Sequence, residues 1–318
     1  MNKKTALKTT ALKATDLRRY ALLIVFIAMC IFFTIVSDAF LTAGNLIDVI
    51  RSNSISGLLA IGVTYVILSG GIDLSTEAVA CLAGIVSGAL SSNLPAAILS
   101  GLAVGLIFGF INGFILTRTN IQPFIFTLAM SQIGRGIVMI YTKGISIYEI
   151  DEKFRELAKG TVGPLPVPII YFAVIIAVSY VLLNHSRLGR YVYAVGSNAE
   201  AARLSGIKVE RVRMFVYVLS GLLSALGGIL LTARTSAAEV AAADGWSLDA
   251  ISAVIIGGTS MRGGEGGVFY TILGIFIIAV LNNGLVLLNV PSQYYQFIKG
   301  LLMVFAVLVD FNSLKKKS

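Results

Sequence analysis

The chain has 318 residues, of which 57% are hydrophobic and 13% charged, and its formal net charge at pH 7 is +9. Because a soluble domain carries about 25% charged residues, this composition excludes a disordered chain, a disulfide-stapled secreted module and, in spite of the isoelectric point of 9.6, a nucleic-acid-binding protein. Together with the mean hydropathy of +0.88, it predicts an all-α polytopic membrane protein.

Stretches without charged residues predict the membrane spans, because a bilayer core needs roughly 20 apolar residues per helix. Ala78–Thr117 is too long for one crossing and is broken at Asn93–Pro95, so it predicts two spans. About ten transmembrane helices are expected. In chain order they are Tyr20–Ser37, Ser52–Ile72, the two halves of Ala78–Thr117, Thr119–Thr142, Val167–Asn184, Met214–Ala233, the short Asp249–Met261, Gly266–Val290 and Ser292–Val309.

Basic residues predict the orientation, because loops rich in lysine and arginine stay in the cytoplasm. Most of them lie in the N-terminal segment 1–19, the loop 185–213 and the tail 313–318. All three segments are therefore expected in the cytoplasm, with the transmembrane domain 20–312 between the termini. The loop Lys143–Pro166 balances its basic residues with acidic ones and is expected outside.

Residues suited to catalysis or metal binding are few. Cys30 and Cys81 lie in apolar runs without a CxxC motif, and His185 is the only histidine. No zinc site or nucleophilic catalytic set can be assembled from them. The sequence also has no GxxxxGK[ST] motif. We therefore expect no cofactor, no metal site and no ATPase activity of the chain's own, and the chain is not expected to be an enzyme.

Four glycines recur at every fourth position of the fourth predicted span, namely Gly101, Gly105, Gly109 and Gly113. Residues four apart share one face of a helix, and a face without side chains lets a neighbouring helix approach closely. This stripe is interpreted as a helix-packing face. A face along which two helices move against each other is the alternative.

Two glycine-rich segments interrupt the predicted helices: the first break (Ser69–Ser75) and the second break (Gly257–Gly267). Irregular backbone at membrane depth is tolerated only where protein or a water-filled cavity satisfies its amides, and paired breaks in transporters point to the pathway. Ordinary cytoplasmic turns are the alternative. The candidate residues of a translocation path are Ser69, Asp73, Asn112 and Asn283.

Charged residues within or near the predicted spans are rare, and their exposure to lipid is costly. Glu77 and Asp249 lie near span ends, whereas Arg135 and Lys299 can extend toward water. A chain of buried carboxylates, which a proton-coupled carrier requires, is not visible in the sequence.

The loop 185–213 contains a short predicted helix. Asn198 is a favoured N-cap residue, Glu200 lies in the first turn, where the helix dipole favours negative charge, and Gly206 ends the helix. So short a helix is marginal alone, and we expect it to dock into a groove of a partner. Its predicted apolar patch comprises Ala201, Ala202 and Leu204.

Several motifs resemble those of ABC importer permeases and occur in the same order. Glu200–Gly206 (EAARLSG) is similar to their E-A-A-x-x-x-G coupling signature, and Arg187–Asn198 is similar to the preceding stretch of the ribose-type sugar permeases. Gly71–Ser75 (GIDLS), Leu248–Ser260 and Leu281–Leu285 resemble further segments of these permeases. The resemblance covers almost the whole chain after residue 20.

This resemblance implies an ABC importer permease fold and a homodimer of ten-span subunits in the bacterial plasma membrane. It also implies a cytoplasmic ABC ATPase subunit and a periplasmic or lipid-anchored binding protein that delivers a monosaccharide such as ribose. The sequence departs from the family at Thr76–Glu77, where Val-Gly is expected, and lacks Leu-Pro after the coupling signature. The residues that the resemblance assigns to the ATPase contact are Arg187, Arg190, Asn198, Glu200, Ala201, Ala202 and Gly206.

An ion-coupled secondary transporter of a small polar solute is the alternative from a different class. It needs no ATPase partner, and the inverted repeats of such carriers also explain paired helix breaks. Within the importer interpretation, a nucleoside, a furanone or another small polar solute also fits the sequence.

Overall fold

The computed structural model describes residues 22–301 and residue 304. The segments 1–19 and 313–318 and the second half of the last predicted span lie outside these residues. The described chain is mostly helical, with an antiparallel hairpin of β1 (Thr161–Val162) and β2 (Leu165–Pro166). The helices are α1 (Leu22–Val36), α2 (Ala43–Leu68), α3 (Thr76–Ala89), α4 (Leu94–Arg118), α5 (Pro123–Thr142), α6 (Glu152–Lys159), α7 (Val167–His185), α8 (Arg187–Ser197), α9 (Ala199–Leu204), α10 (Val209–Thr235), α11 (Trp246–Gly257) and α12 (Val268–Leu287), followed by a 3₁₀ turn (Ser292–Tyr294) and a further helix from residue 295.

Six of the described helices are long and apolar enough to cross a membrane, namely α2, α4, α5, α7, α10 and α12. The shorter helices α1, α3 and α11 are also apolar. Helix length and composition therefore support six crossings by themselves, fewer than the ten expected.

The helix boundaries differ from the predicted spans where charged residues lie near a helix end. α2 begins at Ala43 and includes Asp48 and Arg51, whereas the predicted span starts at Ser52. α10 begins at Val209, before the predicted Met214. A search for uncharged stretches misses these turns, because charged side chains near a helix end can still reach water. The break at Asn93–Pro95 is confirmed, since Asn93 caps α4 with its side chain.

The long helix α10 lies at the centre of the bundle and contacts α2, α3 and α4. α11 and α12 pair with each other and also contact α2, and α5 contacts α3. Small residues allow these approaches. A Cβ placed on Gly62 of α2 would lie 2.9 Å from the Ser220 Cα of α10.

The connections gather at two ends of this bundle. At one end, named the α6 end, Asp151 N donates a hydrogen bond of 3.2 Å to Ser91 Oγ, and Ile147 forms a β-bridge with Ala238. The other end, named the α9 end, contains α8, α9 and the C-terminus of α2. α10 thus runs from the α9 end to the α6 end.

The glycine stripe of α4 lies against α10 along its whole length. A Cβ on Gly101 would collide with Ile229 and Ser87, and a Cβ on Gly109 would collide with the backbone of α10. A Cβ on Gly113 would lie 2.8 Å from Met214 Sδ and 3.0 Å from Met214 Cα. At the centre, Gly105 and Gly221 are each so close to the other's carbonyl oxygen that neither site has room for a methyl group. Backbone-to-backbone contact therefore sets the distance between these two helices.

Replacing Gly105 with alanine is expected to push α4 and α10 apart and to destabilise the protein by about 1–3 kcal/mol, as overpacking does in tight cores. The melting temperature of the purified protein in detergent measures this change. Gly136→Ala in α5 is the matched control, because a Cβ there meets no atom within 4 Å. Equal melting temperatures for the two variants would contradict the close-contact interpretation.

Candidate functional site

The two glycine-rich breaks are far apart in the chain but meet at the α9 end. Gly264 N donates a hydrogen bond of 2.9 Å to the carbonyl oxygen of Leu68, the last residue of α2. Gly70 and Gly263 adopt φ values of +81° and +83°, which glycine accepts without steric cost. The irregular backbone of each break is thus partly satisfied by the other.

Helix α8 lies directly against both breaks. A Cβ on Gly196 would collide with the Leu68 carbonyl and would lie 2.6 Å from Gly264 N. Tyr193, one turn earlier, donates from its hydroxyl to the Gly266 carbonyl at 2.9 Å. Burial, with the nearby Tyr270 adding to it, raises the pKa of Tyr193, so this hydroxyl remains a hydrogen-bond donor. The last turns of α8 therefore join the two breaks.

Helix α9 follows α8 after one residue and is capped by Asn198, whose Oδ1 accepts from Ala201 N at 2.9 Å. Glu200 lies in the first turn, and its carboxylate pairs with Arg203 at 3.2 Å. Gly206 has a φ of +81° in the turn that ends the helix. Arg187 and Arg190 lie exposed in the first turn of α8. All residues assigned to the ATPase contact therefore lie in α8, in α9 or in the residues that directly join and end these two helices.

The predicted apolar patch of α9 is divided between two faces. Ala202 is buried against the bundle, whereas Leu204 is 83% exposed. Ala201 is exposed as well. An exposed leucine on a capped helix is the kind of apolar side chain by which short helices are recognised in grooves.

Two of the four candidate path residues form part of one buried hydrogen-bond group, the Asp73 cluster (Asp73, Ser75, Asn112 and Ser220). Asp73 accepts from Ser75 N at 3.0 Å, from Ser75 Oγ at 2.6 Å and from Ser220 Oγ at 2.8 Å. Asn112 Nδ2 donates to Ser75 Oγ at 2.8 Å. The cluster fastens the extended first break to α10 and α4, and its four side chains are at most 1% exposed.

The other two candidates lie elsewhere. Ser69 is buried, and its hydroxyl donates to the Val66 carbonyl at 2.8 Å. Asn283 exchanges two side-chain hydrogen bonds with Asn45, at 2.7 and 3.0 Å. The structure thus brings Asp73 and Asn112 together but does not join Ser69 or Asn283 to them.

A second polar group was not predicted as a site. This Glu77 cluster (Glu77, Arg135, Asp244 and Ser247) joins the first turns of α3 and α11 to α5. Ser247 donates to Glu77 Oε2 from its hydroxyl at 2.9 Å, and Arg135 Nη2 lies 3.9 Å from Glu77 and 3.7 Å from Asp244. Arg135 Nη1 also donates to the carbonyls of Ala242 and Val240 at 3.0 and 3.4 Å. In the sequence, the only signal was the charges of Glu77 and Arg135 in apolar surroundings.

Comparison with known proteins shows the family of this chain. Residues 45–307 match the family described as branched-chain amino acid transport system / permease component. The ribose import permease protein of Bacillus subtilis (strain 168) is 42% identical over 295 residues, which cover 91% of this chain and 90% of that protein. The corresponding protein of Escherichia coli (strain K12) is 38% identical, covering 89% and 92%. The L-arabinose transport system permease protein of the same strain is 34% identical, covering 94% and 92%.

No solved structure matches the chain at a significant level.

Replacing Asp73 with leucine is expected to destabilise the protein strongly. It leaves Ser75 N and the buried hydroxyl groups of Ser75 and Ser220 without their acceptor, at a cost of about 1–3 kcal/mol for each unsatisfied group. Asp73→Asn is the matched control, because its amide can accept from Ser75 and donate to Ser220. Melting curves in detergent and the yield of monodisperse protein provide the measurement. Equal loss in both variants would indicate that the carboxylate charge is essential and would contradict the hydrogen-bond account.

Proposed function

This chain belongs to the branched-chain amino acid transport system / permease component family and, within it, to the permeases of sugar ABC importers, and on that premise we propose that it imports a monosaccharide. The solute is a ribose-like pentose or a similar sugar. Two of its relatives are named for ribose and one for arabinose. The chain forms the membrane-spanning part, and ATP hydrolysis by a separate subunit drives the transport.

The observation that carries this proposal is the contact of α8 with both breaks. An ATPase that binds the exposed face of α9 moves α8, since only Asn198 separates the two helices. Gly196 and Tyr193 transmit that movement to the first and second break at once. These segments pack in two alternative arrangements, and each arrangement closes the path on one side of the membrane. The nucleotide state of the ATPase determines which arrangement is more stable.

The proposed topology has ten crossings with both termini in the cytoplasm. The α9 end contains the loop 185–213, whose basic residues favour the cytoplasm. The connection Lys143–Pro166 meets the start of the connection 236–245 at the α6 end, through the bridge between Ile147 and Ala238, on the opposite side of the membrane. α3 and α11 are about 21 and 18 Å long at 1.5 Å per residue. Since the bilayer core is about 30 Å thick, irregular segments complete these two crossings.

Three partners follow from the proposed role. A cytoplasmic ABC ATPase binds α9, an extracytoplasmic sugar-binding protein docks at the α6 end, and a second copy of the chain forms the other wall of the path. Asp151, the N-cap residue of α6, and Glu152 and Lys153 in its first turn are exposed, and we expect the binding protein to dock against them.

Reconstitution in vesicles tests the proposed function. The chain with its ATPase and binding protein is expected to accumulate radiolabelled D-ribose only when ATP is supplied on the α9 side. Ionophores that collapse ion gradients should leave this uptake unchanged. Uptake by the chain alone down an ion gradient would instead identify a secondary carrier.

Changing the exposed face of α9 is expected to uncouple transport without harming the membrane domain. Leu204→Ser removes the apolar anchor, and Gly206→Val forces a β-branched residue into positive φ. Uptake and ATPase binding should both fall about tenfold or more, since an apolar side chain buried at an interface contributes roughly that factor. Copurification of the ATPase measures binding directly.

Ile121→Ser is the matched control for these variants. Ile121 is 45% exposed and lies in the connection between α4 and α5, at the same end but outside α8 and α9. This variant should transport like the wild type. Wild-type uptake by both the Leu204 and the Gly206 variants would contradict a docking role for α9.

A further inference from the structure

The Glu77 cluster lies close to the middle of the membrane. In α10, which spans 27 residues, Ser220 contacts Asp73 and Gly228 contacts the backbone of Ala80. Glu77 lies between Asp73 and Ala80 in the chain, so its level falls between Ser220 and Gly228, around the midpoint of α10. Its hydrogen bond to Ser247 places the N-terminus of α11 at the same level.

One member of this cluster is open to its surroundings. The side chain of Asp244 is 76% exposed, whereas those of Arg135 and Glu77 are 20% and 17% exposed. A charged side chain exposed to lipid at this depth is costly. Asp244 therefore faces either a water-filled path or protein from a second copy.

The chemistry of the cluster favours the path. Two carboxylates and one guanidinium provide several acceptors and donors and leave one net negative charge, which disfavours an anionic solute. Arg135 Nη2 is buried between the carboxylates of Glu77 and Asp244, 3.9 and 3.7 Å away, and makes no hydrogen bond within the described residues, so this donor has no close acceptor of its own in the cluster. Carboxylates that accept and a guanidinium that donates together match the hydroxyl groups of a sugar.

We propose that Asp244, Arg135 and Glu77 form the membrane-depth binding site through which a neutral, hydroxyl-rich solute passes. This inference rests on the proposed function and specifies where its substrate is held. The Asp249–Lys299 ion pair, with Nζ 2.7 Å from Oδ2, lies two residues beyond Ser247 in α11 and leaves no net charge beside the site. The site binds the solute weakly and in passing, because tight binding would oppose its release.

Transport and ATP hydrolysis by the full complex test this site together. In vesicles that contain the chain, its ATPase and its binding protein, Asp244→Asn is expected to lower uptake of radiolabelled D-ribose about tenfold, which corresponds to one hydrogen bond to a charged group. ATP hydrolysis stimulated by the binding protein should remain at the wild-type rate, because the α9 contact is unchanged. Glu239→Gln is the matched control, since it removes an exposed carboxylate of the same loop, and both of its activities should be normal.

Thiol labelling separates the path from a contact between copies. In a variant without Cys30 and Cys81, Asp244→Cys is expected to react with a membrane-impermeant methanethiosulfonate reagent, and Glu239→Cys serves as the comparison. An unreactive Asp244→Cys, or one that forms a disulfide with a second copy, would overturn the proposed site. Normal ribose uptake by Asp244→Asn would do so as well.

Different results would reject the proposed transport of ribose and the proposed binding site. If the wild-type complex shows no ATP-driven ribose uptake, the proposed transport of ribose is wrong, while labelling of Asp244→Cys still decides whether the cluster faces water. If the wild type transports ribose and Asp244→Asn loses ATP hydrolysis together with uptake, the residue acts in coupling and the binding site is rejected.

Discussion

Backbone that leaves a helix inside a membrane must find hydrogen-bond partners in protein, because lipid offers none. This requirement explains why residues far apart in the sequence meet in the structure. The first break obtains partners from the Asp73 cluster and from Thr127, whose hydroxyl accepts from Leu74 N at 3.1 Å. The second break bonds to the end of α2 and to Tyr193. Each contact that satisfies an irregular amide also ties together two elements of the bundle.

These contacts connect the surface at the α9 end to the Glu77 cluster. The first break leads directly into α3, whose first turn contains Glu77. Helix α11 contains Ser247 in its first turn and ends at the second break. In the proposed mechanism, a displacement of α8 therefore acts on α3 and α11, which carry Glu77 and Ser247 of the Glu77 cluster. The close glycine contact between α4 and α10 provides the frame against which α3 and α11 move in the proposed mechanism.

Local features were predictable from the sequence, and long-range contacts were not. Asn93 and Asn198 are helix caps whose residue type and position predict them, and the spacing of the glycine stripe predicts a shared face. Helix α8 was missed because its cationic first turn interrupts the apolar pattern. The proximity of Glu77, Arg135 and Asp244 could not be predicted from the sequence. It arises from the tertiary packing of α3, α5 and the loop before α11, and no short-range sequence pattern indicates such packing. The family resemblance identified the importer class, but it did not locate the polar site.

The orientation of α9 is the assumption on which the whole account depends, and labelling of a single cysteine measures it. In a variant without Cys30 and Cys81, Leu204→Cys should react with an impermeant reagent only when the cytoplasmic face is accessible. Lys153→Cys on α6 should react only from the opposite side. Labelling of Leu204→Cys from outside intact cells would place the helix where no cytoplasmic ATPase can bind it, and the proposed coupling would be wrong.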